Sequence, residues 1–84
     1  MKKVLVIEDE QQLRENIVEL FEAHGYQVFA AENGLTGYEE AQKVLPDLIV
    51  SDVIMPEEDG FKLLERIRKN PATDLTPVML LTAK

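Results

Sequence analysis

There is no cysteine anywhere in the 84 residues, which excludes disulfides and thiolate metal sites and fits a reducing compartment such as the cytoplasm. Long apolar runs are also missing. None approaches the ~20 residues of a membrane span, and Met1-Lys2-Lys3 leads straight into a short strand-like run rather than a signal peptide. Basic residues are scarce. Nine Lys and Arg stand against sixteen Asp and Glu, and a net charge of −7 would repel a phosphate backbone, so direct nucleic-acid binding by this segment is not expected. The glycine-rich loop of a nucleotide site is lacking too: Glu8-Asp9-Glu10 stands where it would have to be, and repels phosphates unless a metal intervenes.

What is present is enough for one small domain. Hydrophobic residues make up 45% of the chain, and a chain of this size buries only roughly 60% of its unfolded surface, so its stability should be modest. Val4-Leu5-Val6-Ile7 is a continuous apolar run, the pattern of a strand covered on both faces. Leu13, Ile17, Leu20 and Phe21 recur at helical spacing, and Gly25 ends that helix. Tyr26 to Ala31 reads as a second strand, punctuated by Asn33-Gly34, and residues 35–44 as a second helix. Leu48-Ile49-Val50 is a third buried strand, leading into Ser51-Asp52. Phe61, Leu64 and Ile67 mark the apolar stripe of a third helix, and Val78-Met79-Leu80-Leu81 a fourth strand. The order βαβαβαβ predicts an α/β fold, a doubly wound parallel sheet with right-handed crossovers and helices on both faces. The Phe and Tyr positions read as core.

The chemistry lies at strand ends. Glu8 and Asp9 follow the first strand and Asp52 ends the third, and ligands of such sheets bind beyond the carboxyl ends of the strands. If the first and third strands are neighbours, three carboxylates converge and repel one another unless a cation neutralises them. All-oxygen ligands suit Mg²⁺. A carboxylate beside Mg²⁺ is also a nucleophile toward phosphorus, and such a site needs a hydroxyl and a positive charge for the phosphoryl oxygens. Thr82 and Lys84, two apart after the fourth strand, supply both on one face.

Taken one by one, these residues have plainer uses. Glu8 and Asp9 can cap the following helix. Asp59-Gly60 forms the turn into the third helix, with Gly60 taking backbone angles closed to other residues. His24, the single histidine, suits a helix end better than a phosphate-carrying role.

Three runs in register, Val4–Asp9, Asp52-Val53-Ile54-Met55-Pro56 with Asp59-Gly60, and Leu80-Leu81-Thr82-Ala83-Lys84, resemble the signature of two-component response-regulator receiver domains. The resemblance implies a flavodoxin-like (CheY-like) sheet in the order 2-1-3-4, with residues 1–84 forming the phosphoacceptor part and the last helix-strand-helix missing. It implies that Asp52 accepts a phosphoryl group from a histidine kinase or phosphotransfer protein in the cytoplasm. Asp9, Asp52 and the Ile54 backbone carbonyl would ligate Mg²⁺, with Glu8 acting through a bound water. Thr82 would bond a phosphoryl oxygen, Lys84 would pair with Asp52 or its phosphate, and Ala83 would leave the approach open. The domain would be no enzyme in its own right, but would assist its own phosphorylation and dephosphorylation. A haloacid-dehalogenase-like phosphatase would want a second acid two residues after the nucleophile, and Ile54 stands there. The remaining alternative is a degenerate receiver serving only as an interaction module. If the chain truly ends at Lys84, the fourth strand, interior in the family, becomes an edge, and self-association or packing through Val78–Leu81 is expected.

Overall fold

The computed structural model describes residues 2–55 and 59–81. Four parallel strands, β1 (Lys3–Ile7), β2 (Gln27–Ala31), β3 (Leu48–Asp52) and β4 (Val78–Leu81), lie in the order β2-β1-β3-β4. They are joined by α1 (Gln11–Ala23), α2 (Gly34–Val44) and α3 (Gly60–Lys69). The order is the one expected. β1 is central, with Ile7 paired to Ala31 on one side and Ser51 on the other, while Asp52 pairs with Leu81. β4 is the outermost of the described strands on its side.

Alternation along the strands divides the core into two layers. Leu5, Ile7 and Ile49 pack with Ala41, Leu63 and Ile67, the inner faces of α2 and α3. Val4, Val6 and Val50 turn the other way and meet Ile17, Val18 and Phe21 of α1. Burial of Val4 to Ile7 on both faces explains why that run shows no polar alternation. The layers are unequal: α1 contributes no fully buried residue.

Several positions differ from the periodicity. In α1, Leu20 is 58% exposed, and Val18 takes the contact with the sheet instead. In α3 the buried face is Gly60, Leu63 and Ile67, while Phe61 is 61% exposed and Leu64 only half buried. The reason is the helix start. Gly60 donates its N–H to the Val53 carbonyl at 2.7 Å, and a methyl at that position would stand 2.6 Å from the Asp52 carbonyl oxygen. That contact turns positions 60, 63 and 67 inward and rotates Phe61 about 100° away. Glycine is therefore required at 60 by close approach and not by backbone angles, since among the described residues Gly25, not Gly60, is the glycine with positive φ. Tyr26 is also exposed. It belongs to the turn after α1, its N–H donating to Phe21 and its ring edge-on to Phe21 at 5.7 Å, so β2 begins one residue later. His24 caps α1, its Nδ1 donating to the Leu20 carbonyl at 2.9 Å.

Links outside the sheet fix the helices. Asn70 donates to the Tyr38 hydroxyl at 3.0 Å and to Gln42 at 3.3 Å, tying the end of α3 to α2. The buried Thr73 hydroxyl donates to the Ile67 carbonyl at 2.9 Å and closes the last turn of α3. Among the described residues no helix is long and apolar enough to cross a membrane.

Two substitutions in α3 test this register. Leu63→Ala should cost about 2–5 kcal/mol and Phe61→Ala no more than about 0.5 kcal/mol, compared by urea unfolding. Equal losses would contradict the helix orientation described. Gly60→Ala should cost about 1–3 kcal/mol in the same assay, because the methyl meets backbone rather than a side chain that can turn aside.

Candidate functional site

Parallel pairing of β1 with β3 brings their carboxyl ends level, Ile7 opposite Ser51. Glu8 and Asp9 leave β1 at the height where Asp52 ends β3. Carboxylate oxygens of Glu8, Asp9 and Asp52 all lie within 4.8 Å of one another. Glu8 is 1% and Asp52 2% exposed, and Asp9 is the most open of the three. By alternation Asp52 shares its face with Leu48 and Val50, the side that α1 covers.

The loop that carries the acid pair is held by backbone bonds. The Glu8 N–H donates to the Ala31 carbonyl at 3.0 Å, continuing the β1–β2 ladder one step past the strand. Glu8 Oε2 accepts the Glu10 N–H at 3.0 Å. The capping role falls to Glu10, whose carboxylate accepts from the Leu13 N–H. Glu8 and Asp9 are thus left to face Asp52. On the other strand, Asp52 Oδ1 accepts the Ile54 N–H at a long 3.4 Å, which brings the Ile54 backbone alongside the carboxylate while its side chain is exposed. The Asp59 carboxylate accepts from Lys62 N–H at 2.9 Å and so is spent on starting α3.

Oxygen donors without sulfur or imidazole match a hard cation. Opposite ligands of a six-coordinate Mg²⁺ stand about 4.2 Å apart, so a set spread over at most 4.8 Å closes on the ion with small shifts, or through one intervening water. A carboxylate group this concentrated, two of its members buried, is costly for the fold unless positive charge enters. The residues present therefore fit the metal.

Thr82 and Lys84 lie outside the described residues, as do Ala83 and Pro56. The last described residue of β4, Leu81, pairs with Asp52. One residue escaped the sequence reading. Arg14 donates through Nη1 to the Glu8 carbonyl at 2.8 Å and to the Asp9 carbonyl at 3.5 Å. Its position carried a signal, because a cation near a helix N-terminus opposes the macrodipole and calls for a local anion or carbonyl partner.

Comparison with known proteins agrees with this geometry. The response regulator receiver domain model matches residues 4–84. Protein PilH of Pseudomonas aeruginosa is 32% identical over the whole chain, which spans 69% of that protein. Histidine kinase P4 of Formosa agariphila is 43% identical over 81 residues, 96% of this chain but 6% of that much longer protein. Among solved structures, the chemotaxis protein CheY4 of Vibrio cholerae superposes with a TM-score of 0.95 at 33% identity, covering all of this chain and 70% of CheY4. With the family pattern running from residue 4 to residue 84 and the strand order shared, this chain belongs to the response regulator receiver domains of two-component signal transduction.

Proposed function

We propose that the chain is a phosphoacceptor in a two-component pathway, taking a phosphoryl group from the phosphohistidine of a kinase or phosphotransfer protein onto Asp52 in the cytoplasm. The observation that carries this reading is the cluster of Glu8, Asp9 and Asp52 at the ends of two adjacent parallel strands. Relatives that include histidine kinases, with the receiver-domain match, support a partner of that kind.

The chemistry is a displacement at phosphorus. An Asp52 carboxylate oxygen attacks, the phosphorus–nitrogen bond breaks, and its electron pair leaves with the donor imidazole, which takes up a proton. The product is an acyl phosphate on Asp52. Asp9, Asp52 and the Ile54 carbonyl would hold Mg²⁺, with Glu8 reaching it through water. Bound there, the ion neutralises the carboxylates and the incoming phosphoryl oxygens. Burial of Asp52 excludes bulk water from the nucleophile, and the Ile54 N–H orients one of its oxygens. In the same reading the Thr82 hydroxyl bonds a phosphoryl oxygen and Lys84 balances the new charge. The domain is then a substrate that assists its own modification and its own dephosphorylation, rather than a turnover enzyme, and the acyl phosphate switches its conformation for downstream output.

Incubation with acetyl phosphate and Mg²⁺ should add the mass of one phosphoryl group, and Asp52→Asn should abolish it. Equal labelling of the variant would move the acceptor elsewhere. No labelling of the unsubstituted protein would favour a non-phosphorylated interaction module.

Asp9→Ala should weaken Mg²⁺ binding by more than about tenfold in calorimetric titration, since loss of an outer-shell partner alone costs 10–100-fold. Undiminished affinity would remove Asp9 from the ligand set.

A further inference from the structure

Arg14 stands out among the basic residues because its partners are the backbone of the acid loop. Its own N–H donates to the Glu10 carbonyl at 3.0 Å, and its Nη1 to the carbonyls of Glu8 at 2.8 Å and Asp9 at 3.5 Å. The side chain thus donates to two consecutive carbonyls, those of Glu8 and Asp9, just ahead of the first backbone bond of α1, which accepts at Glu10. Peptide planes on either side of Asp9 are pinned, and with them the direction in which the Glu8 and Asp9 side chains leave the chain. Arg14 also lines an open cleft of about 360 Å³ together with Glu32 and Glu40.

We propose that Arg14 is a positioning residue for the metal site: it holds the Glu8–Glu10 backbone so that Glu8 and Asp9 converge on Asp52. The inference rests on the reading of these acids as the Mg²⁺ site. Its logic is that of outer-shell control, where groups that never touch the ion set the aim of those that do.

Charge and positioning make opposite demands, which renders the idea testable. If Arg14 acted only as a nearby positive charge, its removal would tighten binding of a dication by relieving repulsion. If it positions the loop, removal must weaken binding. A helix-surface arginine of neither kind would leave affinity unchanged.

The experiment is calorimetric titration with magnesium chloride alone on the unsubstituted protein, Arg14→Met and Arg14→Lys. The circular dichroism spectrum of each protein must match at the temperature used. Arg14→Met keeps the apolar stem and loses the donor, and should weaken Mg²⁺ affinity about tenfold. Arg14→Lys retains a cationic donor and should recover most of that loss. Should Arg14→Met fail to fold, Arg14→Leu, which also lacks a side-chain donor, replaces it with the same expected order. Unchanged or tighter binding in the donor-deficient variant overturns the proposal while the metal reading stands. No binding by the unsubstituted protein overturns both.

Discussion

Adjacency of β1 and β3 is the constraint on which the site depends. The two strands are separated in sequence by a helix, a strand and a second helix, yet pair directly with Ile7 opposite Ser51. A sheet in simple sequential order would put β2 between them, and at roughly 4.8 Å per strand Asp52 would sit one strand further from Glu8 and Asp9. No side-chain choice could then bring three carboxylates within 4.8 Å. Topology comes first and chemistry follows from it. The packing that enforces topology is the filling of both faces of β1, whose Val4 to Ile7 are 1% exposed or less.

Stability and site pull against each other at the same strand ends. Fully burying one aliphatic side chain contributes about 1.5–3 kcal/mol, and the Leu5, Ile7, Ile49, Leu63 and Ile67 layer supplies several such terms. Against this stand Glu8 and Asp52, carboxylates buried nearly as deeply as the core itself. The surrounding backbone offsets part of that cost by supplying donors, Glu10 N–H to Glu8 and Ile54 N–H to Asp52. A further contact at the same level is the bare backbone of Gly60 against the Asp52 carbonyl, which seats α3 beside the acid cluster.

Most of the architecture was legible in the sequence because its strands are short, continuous apolar runs that end abruptly in acids. Val4–Ile7 followed by Glu8-Asp9, and Leu48–Val50 followed by Ser51-Asp52, announce both a buried parallel strand and the end at which its acids gather. What stayed hidden depends on long-range contact. Phe61 has the apolar character of a core residue, but the inward face of α3 is set by the approach of Gly60 to Asp52, which no local spacing records. Glu10 rather than Glu8 or Asp9 caps α1, because the choice among three consecutive acids depends on where β1 stops pairing. Arg14 escaped because its partners are backbone carbonyls, which have no letter in the sequence.

The unequal layers carry a kinetic consequence. α2 and α3 are clasped to each other through Tyr38 and Asn70 and bury Ala41, Leu63 and Ile67, whereas α1 buries no residue completely. Local opening costs least where apolar contacts are fewest, so amide protons of α1 should exchange with solvent before those of β1 or β3. Yet α1 is the helix whose first turns grip the Glu8–Glu10 loop. Each transient fraying of that helix releases the aim of two carboxylates while the third, anchored in β3, stays in place. The aim of Glu8 and Asp9 is therefore tied to a helix that buries no side chain completely, while that of Asp52 is tied to the sheet.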